Sequence, residues 1–145
     1  MGGWLLVACR DSPSARMKLE FLPAGPPDCP LIRIFDFSVS EAQSLRQVCV
    51  DLAEGRADAV SLLDLPGTVA IGGCSLTLRA SNIDYGCERS GPNAFECFLT
   101  RDSWEDVEGL IEPFCEPRDF AGFQWLTEHS EISPPFVNWA VVMNP

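Results

Sequence analysis

The chain has 145 residues, is 46% hydrophobic and carries a net charge of −11 at pH 7. A chain of this length buries about 70% of the surface that its unfolded form exposes, so one domain can form a core without disulfides or metal. Ten basic residues against twenty-one acidic ones argue against a nucleic-acid partner, because displacing counterions from phosphates requires lysines and arginines. The same balance argues against binding to anionic membranes.

Residues 1–16 differ in pattern from the rest of the chain. Only five consecutive apolar residues, Trp4 to Ala8, occur there, and no lysine or arginine precedes them. A signal peptide combines a basic start with a longer apolar stretch, so the segment does not match one. We expect residues 1–16 to form a loosely attached extension and residues 17–145 to form a single domain.

Two strands are predicted to open the domain. Residues 18–22 alternate apolar and polar side chains, and residues 31–37 (LIRIFDF) are rich in isoleucine and phenylalanine, which favour buried strands. Four prolines fall within residues 23–30, which are therefore predicted to be an irregular loop.

A helix is predicted for about residues 38–55. Ser38 and Glu41 have the spacing of a capping box, in which both side chains accept hydrogen bonds from backbone N–H groups left free at a helix start. Gly55 is the kind of residue that ends a helix in a left-handed conformation. One buried stripe is predicted from the apolar residues at helical spacing: Ala42, Leu45, Val48, Cys49 and Leu52.

The middle of the chain is predicted to add further strands. Residues 58–65 and 68–71 are apolar runs that end at turn residues. Residues 74–80 alternate apolar and polar side chains, as in a strand with one face buried and one face wet. Residues 94–99, in which Phe95, Cys97 and Leu99 alternate with the other side chains, are predicted to form another strand. The polar segment between them, residues 81–93 (SNIDYGCERSGPN), is predicted to be a loop.

A second helix is predicted for about residues 102–112. Asp102 and Glu105 have capping-box spacing, and Pro113 is expected to end the helix. Its predicted core stripe is Trp104, Val107 and Ile111. Strands follow at residues 122–126 and 136–143, and the last has apolar residues on both faces, which is typical of a central strand.

This order predicts a single α+β domain. We expect a mainly antiparallel sheet of six to eight strands, with the two helices packed on one face.

Motifs for catalysis or metal binding are missing from the sequence. The seven cysteines include no C-x-x-C pair, so no zinc site is predicted. Several lie at alternating core positions and are interpreted as reduced core thiols of a cytosolic protein, with a disulfide framework as the alternative. The chain lacks a phosphate-binding glycine loop, G-x-S-x-G and H-E-x-x-H, and His129 is its only histidine. No catalytic residue, metal or cofactor is predicted, and a non-enzymatic role is favoured.

Negative charge is concentrated in the last third of the chain. Residues 101–145 contain nine acids and two bases, a net −7, and such a one-sided field steers a basic partner towards the surface. We therefore expect a basic protein partner to bind around helix 102–112, whereas an ordinary solvated helix face is the alternative. The candidate binding residues are Asp102, Glu105, Glu108, Glu112 and Glu116.

A second hypothesis is a small-molecule-binding protein or an enzyme with its site in loops 23–30 and 81–93. Loops on a rigid sheet commonly carry function, although these residues could equally be an ordinary solvated loop. The second loop contains Asp84, Tyr85, Cys87, Glu88 and Arg89.

Three short segments carry a resemblance to known proteins. PDCPLIRIFDF, together with IEPF and GFQWL further along, resembles a group of small, acidic, uncharacterised bacterial proteins over residues 17–126. That group has no established activity, so it implies no catalytic residues. In size, acidity and α+β layout the chain is also similar to bacterial immunity proteins, which neutralise toxins by presenting acidic surfaces.

The predicted boundary at residue 17 can be tested by deletion. Removing residues 1–16 should leave the melting temperature nearly unchanged in a calorimetric scan, because a loosely attached extension buries little apolar surface. A decrease of more than about 4 °C, or about 1 kcal/mol for a domain of this size, would contradict the boundary.

Overall fold

The computed structural model describes residues 16–24, 29–116, 122–127 and 136–143. These ranges exclude residues 1–15 of the expected N-terminal extension and residues 25–28 of the first predicted loop. The described strands are β1 (Lys18–Leu22), β2 (Leu31–Phe35), β3 (Ala59–Ser61), β4 (Val69–Ala70), β5 (Ser75–Ala80), β6 (Gly86–Arg89), β7 (Ala94–Leu99), β8 (Gly122–Thr127) and β9 (Phe136–Met143). The described α-helices are α1 (Val39–Glu54) and α2 (Arg101–Ile111).

The nine described strands join into one continuous mixed sheet. Its order is β3-β5-β7-β6-β9-β2-β1-β4, and β8 pairs with β9 beside this path. Most neighbours are antiparallel, but β1 and β4, β2 and β9, and β5 and β7 are parallel pairs. The predicted α+β domain is confirmed, while the sheet is mixed and has more strands than expected. Alternation along a strand indicates which side chains are buried, but it does not identify the neighbouring strand.

Strand β6 lies inside the segment that was predicted to be a polar loop, so the loop prediction for residues 81–93 is wrong in its centre. Gly86 and Cys87 are buried there, because β6 is flanked by β7 on one side and by β9 on the other. Four residues followed by serine, glycine and proline give no local pattern that indicates a strand. Their pairing depends on distant parts of the chain.

Strand β9 is central, as predicted. One edge of β9 pairs with β2 over residues 138–141. The other edge pairs first with β6 at residues 136–137 and then with β8 over residues 139–143. The sheet therefore divides at this edge, where β8 replaces β6. At the junction, the hydroxyl of Thr127 donates to the sulfur of Cys87 at 3.6 Å.

Helix α1 forms as the sequence predicts. The backbone N–H of Glu41 donates to the Ser38 hydroxyl at 3.1 Å, and the Glu41 carboxylate accepts from the Ser38 N–H at 3.0 Å. Gly55 ends the helix with a φ of 83°, a conformation that residues with a Cβ rarely adopt. The whole predicted apolar stripe is buried.

Helix α2 begins one residue earlier than predicted and has a different cap. The side chain of Thr100 accepts from the backbone N–H of Ser103 at 3.2 Å, whereas Asp102 and Glu105 are exposed and do not form the expected capping box. Threonine and aspartate are both good N-caps, so local spacing alone could not decide between them. Beyond Ile111 the chain continues as a 3-10 turn, Glu112–Cys115, that contains Pro113.

Both helices pack against each other and on the same side of the sheet, and their buried side chains belong to one core cluster. Trp104 of α2 is fully buried, and its ring meets the ring of Trp139 edge-on, with centroids 6.2 Å apart. The Trp104 indole N–H donates to the carbonyl of Arg79 at 3.0 Å. This hydrogen bond satisfies a polar group that would be costly to bury alone.

Five of the cysteines fill the core of the described fold, and burial raises their thiol pKa values wherever a shift is resolved. The pKa of Cys74 rises to about 11 through burial, and that of Cys97 rises well above its ordinary value through burial and the thiol of Cys87 opposite it. Neutral, buried thiols are poor nucleophiles, in agreement with the predicted core role. The buried residues are Cys49, Cys74, Cys87, Cys97 and Cys115.

The burial of Trp104 predicts a large stability loss on truncation. Trp104→Ala should lower the free energy of unfolding by about 3–5 kcal/mol, measured by urea denaturation, because a large cavity opens beside Trp139. Trp104→Phe is the control: it keeps a core aromatic ring and loses the hydrogen bond to Arg79, so a smaller decrease is expected. Equal effects of the two substitutions would contradict the packing argument.

Candidate functional site

Six of the basic side chains of the described fold are engaged in internal ion pairs. Arg33 pairs with Glu20 at 2.7 Å, and Arg101 pairs with Asp58 at 2.9 Å. Lys18 pairs with Asp36, Arg56 with Asp51 and Glu54, and Arg79 with Glu96. These pairs neutralise much of the acidity of the sheet, of α1 and of the segment that follows α1.

Most of the described carboxylates that form no ion pair or hydrogen bond lie on helix α2 and on the turn after it. Among the described residues outside this segment, two acids take part in neither an ion pair nor a hydrogen bond: Asp64 and Glu88. Those within the segment are all exposed: Asp102, Glu105, Asp106, Glu112 and Glu116. The fold thus concentrates uncompensated negative charge on one helix.

Glu108 behaves differently from the other four predicted binding residues. Its carboxylate accepts from the Arg46 side chain at 2.5 Å, and its side chain is only 18% exposed. The hydrogen bond to Glu108 raises the pKa of Arg46 above its ordinary value and so favours the charged guanidinium. The expectation that Glu108 lies in solvent is wrong, because it joins α2 to α1.

A groove runs between the two helices beside this ion pair. It has a volume of about 160 Å³, and Val50 and Ala53 of α1 provide its apolar lining. Three carboxylates, those of Glu54, Glu105 and Glu108, complete the lining. Since Glu54 and Glu108 already pair with arginines, Glu105 is the uncompensated charge of the groove.

The second candidate region is partly dispersed by the fold. Cys87 is buried, and Arg89 lies near the ring of Phe21, with its guanidinium carbon 5.0 Å from the ring centroid. Glu88 lies opposite Glu96 in the sheet. From the cluster in residues 81–93, only Asp84 and Tyr85 remain together at a concave surface.

That concave surface is a cleft of about 360 Å³ between α2 and the divided edge of the sheet. Asp84, Tyr85, Ser103, Asp106 and Thr127 give it polar groups. Its apolar lining consists of Leu99, Val107, Leu110 and Leu126. The sequence reasoning missed Ser103, Asp106 and Leu110, although their spacing along the helix is the signal that they share a face.

Asp84 links this cleft to the start of α2. Its carboxylate accepts from the backbone N–H of Thr100 at 2.7 Å and from the hydroxyl of Ser103 at 2.6 Å. These hydrogen bonds, the one from Ser103 foremost, lower the pKa of Asp84 below its ordinary value. A carboxylate at this position also interacts favourably with the positive end of the helix dipole.

Within the described ranges, acidic, cysteine and histidine side chains form no group of three or more that could hold a metal ion. In the same ranges, every helix is too short or too polar to cross a membrane. No protein-family model, curated protein or solved structure matches the chain.

Removing the Asp84 side chain should loosen the first turn of α2. Asp84→Ala is expected to speed amide hydrogen exchange at Thr100 and Ser103 several-fold, because two hydrogen bonds to the helix start disappear. Asp102→Ala, which removes an exposed carboxylate of the same helix, is the control and should leave these rates unchanged.

The effect of Asp84 should also depend on pH. Because the folded-state pKa is lowered, the stabilisation is fully present above the ordinary value of 3.8 and is lost as the pH falls through the lower folded-state value. The difference in the free energy of unfolding between the wild type and Asp84→Ala should therefore shrink in strong acid. A difference that persists unchanged there would contradict the role of the ionised carboxylate.

Proposed function

We propose that the protein is a non-enzymatic binding domain that presents the acidic surface of α2 to a basic protein partner. The proposal rests on one observation, the concentration of uncompensated carboxylates on α2 while the basic side chains of the described fold are largely paired internally. Complementary charge accelerates encounter and suppresses partners of the wrong charge. An immunity-like role, in which the acidic surface blocks a basic toxin, is the form of this function that the resemblance suggests.

The groove between α1 and α2 gives this surface a feature that fits a lysine or arginine. The aliphatic part of such a side chain can pack on Val50 and Ala53, while its charged end lies near Glu105. Long basic side chains commonly bury their stems on apolar surface and keep the charge at a polar rim. A carboxylate beside an apolar groove therefore binds a basic side chain better than a flat acidic surface does.

The proposal includes a cytoplasmic location and a bacterial source. Five buried cysteines support the first part, because thiols remain reduced in the cytoplasm and this core uses them as small apolar residues. The source rests on the resemblance to small acidic bacterial proteins.

Charge removal on α2 tests the docking surface. The double variant Glu105→Gln/Glu112→Gln should fold with a free energy of unfolding within about 0.5 kcal/mol of the wild type, because both side chains are exposed and unpaired. In pull-downs from native lysate at low salt, it should lose a basic protein that the wild type captures. The captured protein is identified by mass spectrometry and its association rate is then measured.

A matched control separates the local surface from the total charge. Asp64→Asn/Glu88→Gln changes the net charge by the same amount and also removes unpaired carboxylates, but it leaves α2 intact. The control should capture the basic protein as the wild type does. Carbodiimide coupling, which joins carboxylates to lysines in contact, should link the partner to α2. Equal losses in both variants, or links elsewhere, would contradict docking on α2.

A further inference from the structure

The cleft beside α2 exists because of the way the sheet divides. β6 starts at Gly86, β7 ends at Leu99 and β8 ends at Thr127, and all three positions line the cleft. Because β8 replaces β6 along the edge of β9, neither strand covers the space at their junction. The cavity is therefore built by strand ends, by one helix and by Asp84 and Tyr85 directly before β6, and Asp84 is fixed there by its hydrogen bonds to Thr100 and Ser103.

The cleft lies on a different side of α2 from the acidic groove. Ser103, Asp106 and Leu110 recur at spacings of three and four residues and face the cleft, whereas Glu105 and Glu108 face α1. A ligand in the cleft and a partner on the α1 side of α2 thus contact different residues. The cleft can have a function of its own, beyond the proposed docking surface.

Size and apolar lining indicate a small molecule with an apolar part. A volume of about 360 Å³ lies at the lower end of the range of about 300–1,000 Å³ that is typical of small-ligand pockets. Leu99, Val107, Leu110 and Leu126 provide apolar contact. Tyr85 is 50% exposed at this site, and its ring is held edge-on against Phe98 at a centroid distance of 6.2 Å.

The charges in the cleft select a cation. Asp84 and Asp106 line it, and the described lining contains neither lysine nor arginine. An ionised carboxylate offers about four acceptor positions, of which Thr100 and Ser103 occupy two at Asp84. Positions therefore remain on Asp84 for a ligand, and Asp106 makes no internal hydrogen bond or ion pair with the described residues. The half-exposed ring of Tyr85 adds further attraction for a cation that approaches its face.

From this arrangement we infer that the cleft binds a small organic cation. Its ammonium group is held by Asp84 and Asp106, and its apolar body contacts the leucines and Val107. Amines with an aryl or alkyl body have this chemistry, whereas phosphates and carboxylates are repelled. The inference does not depend on the proposed protein partner.

Three probes of similar shape and different charge test the inference. They are 2-phenylethylamine, which is cationic at pH 7, the neutral 2-phenylethanol and the anionic 3-phenylpropanoate. Each is titrated into the ¹⁵N-labelled full chain while amide chemical shifts are followed. The amine should shift amides of residues 84–86, 103–110 and 126–127 and should bind about five- to tenfold more tightly than the alcohol, because two carboxylates favour the charge. The anion should not bind.

Two variants of equal charge separate the cleft from the general acidity of the chain. Asp106→Asn should weaken the amine at least threefold and leave the alcohol unchanged. Asp102→Asn removes an exposed carboxylate of the same helix that does not line the cleft, so it should leave both affinities within twofold of the wild type. Both side chains are exposed, and thermal melting of both variants verifies that they remain folded.

Four outcomes would overturn the inference. They are shifts confined to residues outside the cleft, equal affinity for amine and alcohol, binding of the anion, and equal weakening of the amine by the two variants. If the pull-downs show that no partner docks on α2, the affinities of the cleft for the three probes are unaffected. The two proposals can therefore be contradicted separately.

Discussion

The burial of Trp104 is the constraint on which the arrangement of this protein depends. Its ring packs edge-on against Trp139 of the central strand, and its indole N–H donates to the carbonyl of Arg79 in β5. One side chain thereby fixes α2 against two distant parts of the sheet. Because a helix turns 100° per residue, fixing the direction of Trp104 also fixes every other side chain of α2. The acidic side chains of α2 are exposed or half-buried as a consequence of this packing.

Helix α2 consequently has three different environments around its axis. The first is the core, where Val107 and Ile111 are buried with the tryptophan. The second faces α1, where Arg46 neutralises Glu108 and Glu105 lines the groove. The third faces the cleft and carries Asp106. A short helix can support separate binding surfaces in this way because residues three and four apart share a face, whereas adjacent residues do not.

Each ion pair of the fold neutralises the negative charge of the acid that it contacts and leaves charge elsewhere unchanged. Most acids of the sheet strands and of α1 lie beside an arginine. The start of α2 is attached to the end of α1 by Arg101, which donates to the carbonyl of Leu52 at 2.6 Å and to Asp58 at 2.9 Å. Exposed pairs of this kind contribute little to stability. They nevertheless determine where charge is left over, and the remaining field lies mainly on α2. Both proposed binding surfaces of α2 depend on this field, because negative charge attracts cations and repels anions.

The sequence by itself determined the features that depend on local periodicity. These include the caps and apolar stripe of α1, the alternation in β5, the buried side of α2 and the core role of the cysteines, because neighbours in sequence are sufficient to produce each pattern. Only the tertiary structure decided which strands pair, that residues 86–89 form β6, and that Thr100 caps α2 instead of Asp102. It also decided that Glu108 meets Arg46 across 62 positions and that Asp84 meets Ser103 across 19. Such contacts are set by packing between distant elements, which a local pattern does not encode.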